Sequence, residues 1–220
     1  MKFTEELWDS IAPIYSAILE HGFVKGLRDG SLKEECFKFY VVQDALYLRE
    51  FARTLSIAAA KSPKDDWMMM FNDHSSGALK VERALHEGFF KDFGMEKNEV
   101  YRTPQAPSNL AYTSYLLAIG YSAPFHEMIG AILPCYWIYR EVGNELIKSG
   151  SPNALYQRWI GTYGGDEYDE ITRGVLALAN EISVGLNGEQ REAMKTHFIT
   201  TTRYEWMFWE MGLRRQRWPV

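Results

Sequence analysis

Cysteine, long apolar runs and an apolar leader are the features that this 220-residue sequence has least of or lacks. Only Cys36 and Cys135 occur, which is too few for a disulfide framework in a domain of this size. The longest apolar run covers the twelve residues 128–139, whereas a helix needs roughly 20 to span a bilayer. The first ten residues carry three acidic side chains and do not resemble a signal peptide. These absences predict a cytoplasmic protein with reduced thiols and no membrane association.

Basic charge and strand patterns are scarce as well. The formal net charge is −5, and we interpret the one basic cluster, Arg214 to Trp218, as cations near the end of a final helix. Phosphate recognition needs a basic surface, so we do not expect nucleic acid to be the partner. Sustained alternation of apolar and polar residues, which is typical of strands, is missing. With 46% apolar and 15% aromatic residues, the chain is predicted to be globular.

Helix signals fill most of the chain. Ser31, Ser62 and Ser151 are predicted N-caps, and the segment from Asn187 to Gln190 is predicted to separate two helices. We therefore predict an all-α fold, a multi-helix bundle formed by one domain over residues 1–220. The predicted helices cover residues 3–21, 32–61, 64–91, 109–121, 124–149, 153–160, 166–185 and 189–213.

A proline and a thiol stand together in the segment AILPCYWIYR, residues 131–140. Pro134 cannot donate a backbone hydrogen bond and presses on the carbonyl of Gly130, so we expect a bend in the helix there. Cys135 and Tyr139 are four residues apart and share one helix face. This arrangement suits a nucleophile in an aromatic pocket. A buried cysteine that packs as a small hydrophobic side chain explains the same residues, and both interpretations remain open.

Two carboxylates stand among aromatic side chains in other predicted helices. Asp44 lies in the apolar segment FYVVQDALYLREFAR, where a carboxylate between tyrosines suits an amino-substituted ring nitrogen. The alternative is a surface ion pair with Arg49 or Arg53. Glu205 lies in TTRYEWMFWEMG, where aromatic surroundings tend to raise the pKa of a carboxyl and suit a general acid. The alternative is a glutamate on the exposed side of an amphipathic helix.

A thiol and two carboxylates from three helices would suit covalent catalysis on a flat, nitrogen-rich ring that stacks on tyrosines. Spacing alone does not choose this kind of ring over another. If the interpretation is right, the sulfur of Cys135 and the carboxyls of Glu205 and Asp44 must share one ring-sized cavity.

The chain closely resembles the thiaminase II (TenA-like) family in five segments that follow the family's order. They are FYVVQDALYLREFAR, YTSYL, LPCYWIYREVG, WIGTYGGDEY and RYEWMFWE. The resemblance implies a fold like that of haem oxygenase, without haem, and assembly as a homotetramer. It implies hydrolysis of 5-aminomethyl-4-amino-2-methylpyrimidine or thiamine to hydroxymethylpyrimidine, in pyrimidine salvage. No cofactor and no metal are implied.

The same resemblance assigns roles to individual residues. It implies that Cys135 is the nucleophile, that Glu205 is the acid/base, and that Asp44 holds the ring nitrogen and the exocyclic amine. The implied lining and orienting residues are Tyr47, Tyr112, Tyr139, Tyr163 and Phe208.

Two other classes of function remain as alternatives. The first is a metal-dependent oxidase on the same scaffold, because Glu82 and His86 form a usable ligand pair at i, i+4. However, no histidine has a glutamate three residues before it, as di-iron bundles require. The second is a non-catalytic protein that binds the pyrimidine and acts in regulation.

Overall fold

The computed structural model describes residues 2–220, except for the side chains of residues 81–86. Over this part of the chain it contains ten α-helices and no strand, which confirms the all-α prediction. The helices are α1 (Phe3–Leu19), α2 (Gly22–Asp29), α3 (Glu34–Lys61), α4 (Asp65–Asp92), α5 (Lys97–Val100), α6 (Pro107–Ser122), α7 (Phe125–Ile147), α8 (Ala154–Tyr163), α9 (Asp166–Ser183) and α10 (Gly188–Arg214).

Two helices, α2 and the single turn α5, were not predicted. The chain starts α2 with an unusual cap, because Nδ1 of His21 accepts the Phe23 N–H at 3.1 Å. Gly30 ends this helix with a left-handed φ of 77°, which glycine adopts without steric cost. The predicted break before α10 is confirmed. Asn187 and Gln190 exchange side-chain to backbone hydrogen bonds of 3.0 and 2.9 Å.

The three predicted serine caps are wrong, because each helix begins three residues after its serine. The Ser31 N–H donates to the preceding aspartate carboxylate at 2.8 Å, and α3 begins at Glu34. The Ser62 hydroxyl donates back to a carbonyl of the preceding turn at 2.9 Å. Ser151 precedes the real cap of α8, Asn153, whose side chain accepts a backbone N–H at 2.9 Å.

The described residues group into two compact units. The Cys135 unit comprises the residues up to Lys33 and residues 126–210, and the Asp44 unit comprises residues 34–125 and 211–220. Each unit draws on segments that are distant in the sequence, so neither can be cut out as one continuous piece. The prediction of a single domain over residues 1–220 stays a prediction here.

Each unit buries large aromatic side chains. Fully burying a large apolar side chain stabilises a fold by about 1.5–3 kcal/mol, so these rings dominate the two cores. The fully buried rings of the Cys135 unit are Phe23, Tyr156, Trp159, Phe198, Phe208 and Trp209. Those of the Asp44 unit are Phe37, Tyr40, Phe71, Phe89 and Tyr112.

A helix that crosses a bilayer must be both long and apolar. Within residues 2–220, outside the excepted side chains, none of the helices meets both conditions.

Candidate functional site

The helix that carries Cys135 continues past its proline. Helix α7 runs from Phe125 to Ile147 with Pro134 inside it, and Cys135 is buried. The small size of Gly130 has a clear role, because a Cβ there would lie 2.2 Å from the Met194 carbonyl oxygen of α10. This glycine therefore permits close approach of α7 and α10. The bend that we expected at Gly130 stays a prediction.

The backbone at Cys135 receives a hydrogen bond that the sequence did not predict. The Tyr168 hydroxyl donates to the Cys135 carbonyl oxygen at 3.1 Å. One turn further along α9, the buried Thr172 hydroxyl donates to the Tyr168 carbonyl at 2.9 Å. Helix α9 is thereby joined to α7 at the candidate nucleophile. Tyr168 ends the segment WIGTYGGDEY, so its place was visible in the sequence, although its contact was not.

Four buried rings form an aromatic cluster in the Cys135 unit: Tyr139, Trp159, Tyr163 and Trp209. The Tyr139 ring lies 5.0 Å from Tyr163 and 5.2 Å from Trp209, and the Trp159 ring lies 4.6 Å from Tyr163. Such pairs contribute about 0.5–1.5 kcal/mol each beyond their burial. The structure thus brings together two of the predicted lining residues, Tyr139 and Tyr163. Sequence reasoning missed both tryptophans.

Two glycines explain why Tyr163 lies beside Tyr139. Gly143 is one turn after Tyr139 on α7, and a Cβ there would lie 2.4 Å from the Tyr163 carbonyl carbon. In return, a Cβ on Gly164 would lie 2.8 Å from the Gly143 oxygen. Only two bare backbones can come this close. This contact fixes the end of α8, and hence the Tyr163 ring, against α7.

Glu205 is almost completely buried, with a relative exposure of 1%. The alternative that placed it on the exposed side of a helix is therefore wrong. The helix turns that follow Cys135 and Glu205 are in contact with each other. Tyr139 follows Cys135 by four residues, Trp209 follows Glu205 by four, and the two rings are 5.2 Å apart. Phe208, a predicted lining residue that precedes Trp209 in the sequence, is also buried.

Asp44 is buried in the middle of α3, with a relative exposure of 3%. The alternative of a surface ion pair with Arg49 or Arg53 is wrong. Nε of Arg53 lies 3.3 Å from a carboxylate oxygen of Glu50, and the Arg49 guanidinium lies 5.7 Å from the centre of the Tyr101 ring. Both arginines are exposed. Burial of the carboxylate agrees with the interpretation of Asp44 as a receptor for polar groups of a ligand.

The other two predicted binding residues of the Asp44 unit lie in contact with each other. The rings of Tyr47 on α3 and Tyr112 on α6 are 5.0 Å apart, and both side chains are buried. Phe51, one turn after Tyr47, stacks on it at 5.6 Å. The expectation that Cys135, Glu205 and Asp44 share one cavity stays a prediction.

The proposed metal ligands Glu82 and His86 have side chains outside the described residues. Among the side chains that are described, no group of three histidines, cysteines or carboxylates is arranged to hold a metal ion.

Comparison with known proteins identifies the family of this chain. A model of the TENA/THI-4/PQQC family matches residues 8–215. An aminopyrimidine aminohydrolase from Bacillus subtilis is 34% identical over 218 residues, which cover 99% of this chain and 92% of that protein. A solved structure from Silicibacter sp. TM1040, described as a TenA family transcription regulator, aligns with a TM-score of 0.89 and 31% identity over 96% of both chains.

A more distant structure settles the fold class. A domain of unknown function from Shewanella denitrificans, described as having a heme oxygenase-like fold, aligns with a TM-score of 0.74. It is 12% identical, and the match covers 96% of this chain and 92% of that one. The predicted haem-oxygenase-like fold is confirmed. Since the family model and the Bacillus relative both span nearly the whole sequence, this chain belongs to the TENA/THI-4/PQQC family.

Proposed function

We propose that this protein hydrolyses the C–N bond at the methylene carbon of an aminomethyl-aminopyrimidine, or of thiamine, and releases hydroxymethylpyrimidine. One observation carries the proposal. A buried thiol, Cys135, and a buried carboxyl, Glu205, each lie one turn before a ring of the Tyr139–Trp209 contact. The name of the Bacillus relative, an aminopyrimidine aminohydrolase, supports the same reaction.

The chemistry needs a strong nucleophile and a proton for the leaving group. A free thiol has a pKa of about 8.5, so a neighbouring base must take its proton for it to react near neutral pH. In the proposed first step Glu205 takes the proton and the Cys135 sulfur attacks the methylene carbon. The C–N bond breaks, and Glu205 returns the proton to the departing amine.

In the second step water attacks the same carbon. Glu205 takes a proton from the water, the C–S bond breaks, and the proton returns to the thiolate. For the aminopyrimidine, the balance is one water consumed, with one ammonia and one hydroxymethylpyrimidine released. For thiamine, the neutral thiazole leaves in place of ammonia, and one proton is released to solvent.

Binding of the pyrimidine is proposed to rest on a carboxylate and on rings. Asp44 would pair with the exocyclic amine and with the ring nitrogen in its protonated form, since a carboxylate has two acceptor oxygens for two N–H donors. Tyr112, Tyr139 and Phe208 would line the ring. Tyr47 and Tyr163 would orient the reacting groups through their hydroxyls.

The wider setting is also proposed from the family resemblance. We propose that residues 1–220 act as one catalytic domain without a cofactor, in a cytoplasmic homotetramer. Salvage of the pyrimidine is the preferred role, because destroying intact thiamine is costly for a cell.

A product assay with both substrates tests the proposal. Wild-type protein is incubated with aminomethyl-aminopyrimidine and, separately, with thiamine, and hydroxymethylpyrimidine is quantified. Cys135→Ser should lose turnover by about a thousandfold or more, because a hydroxyl is a far weaker nucleophile, yet should still bind the product. Cys36→Ser is the matched control, since Cys36 is the other buried cysteine and its Sγ donates to the Leu213 carbonyl at 3.2 Å, in the Asp44 unit. Near-normal rates for Cys135→Ser would remove this thiol from the mechanism.

The regulatory alternative has one observation in its favour, the name of the Silicibacter protein as a transcription regulator at 31% identity. It predicts that the pyrimidine binds and is recovered unchanged. Unaltered substrate after prolonged incubation with clean wild-type protein would favour it over hydrolysis.

A further inference from the structure

Two buried amides join α3 to α6 in the Asp44 unit. Gln43 donates from Nε2 to the Pro104 carbonyl at 3.1 Å. Its Oε1 accepts the Ala106 N–H at 2.8 Å and the Asn109 Nδ2–H at 2.9 Å. Asn109 Nδ2 also donates to the main-chain carbonyl of Gln43 at 2.8 Å. Gln43 and Asn109 have relative exposures of 1% and 0%, so water competes little for the three bonds that join Gln43 to Ala106 and Asn109.

The amides lie on the helix faces that carry the proposed ring-binding tyrosines. Gln43 immediately precedes Asp44 and is one turn before Tyr47 on the same face of α3. Asn109 is three residues before Tyr112 on α6, which again places the two on one face. The 5.0 Å contact between the Tyr47 and Tyr112 rings shows that these faces meet.

The loop that leads into α6 contains Pro104 and Ala106, which bond to Gln43. On its other side this loop is held by the C-terminal strap, residues 215–218. The strap leaves α10 through a turn in which the Gln216 N–H bonds to the Met211 carbonyl at 3.0 Å. Arg215 takes the left-handed position of this turn, with φ 50°, where glycine is usual. The Arg215 side chain pairs with Glu35 at 3.2 Å, which helps to keep the strained turn in place.

Two strap residues then make contacts here, one with the first turn of α6 and one with the loop before it. Oε1 of Gln216 accepts the Ser108 N–H at 3.0 Å, and Nε1 of Trp218 donates to the Gln105 carbonyl at 2.9 Å. The loop therefore has hydrogen bonds to Gln43 on one side and to the strap on the other.

We infer that Gln43 and Asn109 are positioning residues for the pyrimidine. They would fix the position of Tyr112 relative to Asp44, and the C-terminal strap would support the loop that leads into α6. The inference rests on the proposed function. Its physical reason is direction: the two bonds that Asn109 donates to Gln43 fix the register of α6 against α3, and the Gln43 bonds to Pro104 and Ala106 fix the loop before α6, whereas apolar contacts would allow several arrangements.

Gln43→Met is the main test, because methionine keeps the length of the side chain and removes its three hydrogen bonds. The dissociation constant of hydroxymethylpyrimidine, and KM for the aminopyrimidine, should rise about tenfold. The kcat value and the rate of Cys135 alkylation by iodoacetamide should change less than about threefold. Gln157→Met is the matched control, since Oε1 of Gln157 holds the Ser151 N–H of a loop in the Cys135 unit at 2.7 Å.

A double variant separates positioning from stability. Gln43→Met alone removes one of the two acceptors of the Asn109 amide, whereas Gln43→Met with Asn109→Leu makes both side chains apolar and should recover part of the lost thermal stability. Pyrimidine affinity should stay low in the double variant, because directional bonds are still missing. Recovery of affinity together with stability would overturn the inference, as would an unchanged dissociation constant in either variant.

A milder variant covers the case in which Gln43→Met does not fold. Trp218→Phe removes one hydrogen bond from a half-exposed side chain, and KM should rise about two- to threefold with kcat unchanged. An unchanged KM there overturns the inference. Failure of the proposed function looks different, since wild-type protein would then neither bind hydroxymethylpyrimidine nor turn over the aminopyrimidine.

Discussion

The two units hold their candidate site residues in different ways. In the Cys135 unit, backbones touch at Gly130 and Gly143, and rings pack around Tyr139. In the Asp44 unit, buried amides on Gln43 and Asn109 join the helices that carry the ligand-binding candidates. The first unit relies on shape and the second on hydrogen-bond direction. We expect them to fail differently when they are mutated.

A substitution at a close backbone contact displaces more of the structure than a substitution that removes a hydrogen bond. A Cβ placed against a backbone carbonyl cannot rotate away, so the whole helix must move. A lost hydrogen bond leaves the helices packed and changes mainly which arrangement is preferred. Substitutions in the Cys135 unit should therefore affect either stability or chemistry, whereas substitutions in the amide network should affect pyrimidine affinity.

The largest expected effect is a loss of turnover in Glu205→Gln, a variant that changes the chemistry of the Cys135 unit but not its packing. Glu205→Gln keeps the size of a buried side chain but cannot hold the transferable proton. Turnover of the aminopyrimidine should fall by about a hundredfold or more, because its amine must leave protonated. Thiamine turnover should fall less, because the cationic thiazolium is already a good leaving group. Initial rates on both substrates give the comparison.

The control for that variant lies on the same helix. Glu210→Gln alters a half-buried carboxyl that lies 3.1 Å from His21, and both rates should stay close to wild type. Equal losses on the two substrates in Glu205→Gln would contradict the role of this carboxyl in protonating the leaving group.

The next effect tests whether shape holds the Cys135 unit together. Gly143→Ala should lower the free energy of unfolding by about 2–3 kcal/mol, because the new methyl would overlap the backbone at Tyr163. Gly161→Ala in α8 is the matched control: a Cβ there meets nothing within 4 Å. That variant should gain about 0.5–1 kcal/mol from lower backbone entropy in the unfolded chain. Urea unfolding of the two variants measures the difference, and equal stabilities would show that the glycine contact is not required.

The contrast between the units also explains which features the sequence could predict. Burial of Asp44 and Glu205 was one of two interpretations that their neighbours in the chain allowed, and the structure decided between them. The placement of Tyr139 and Cys135 on one face followed from helical spacing. The Gly143–Gly164 contact and the Gln43–Asn109 bonds join residues 21 and 66 positions apart, so no local pattern contains them. The serine caps were wrong because each helix begins three residues after its serine, at Glu34, Asp65 and Ala154.

The smallest expected effect asks whether the Cys135 unit also depends on hydrogen-bond direction. Tyr168→Phe removes the donor to the Cys135 carbonyl and keeps the ring, which packs edge-on to Tyr163 at 5.1 Å. If shape dominates, stability should fall by about 0.5–1.5 kcal/mol and turnover should change less than about fivefold.

Tyr156→Phe is the matched control for this variant, since its hydroxyl donates to the Leu32 carbonyl at 2.6 Å in the same unit. Both variants should lose similar stability in thermal unfolding, and only Tyr168→Phe should alter the rate at which iodoacetamide alkylates Cys135. If Tyr168→Phe lost as much turnover as Glu205→Gln, the Cys135 unit would also depend on the direction of a hydrogen bond. The nucleophile would then depend on a hydrogen bond in the same way as the pyrimidine-binding residues depend on Gln43.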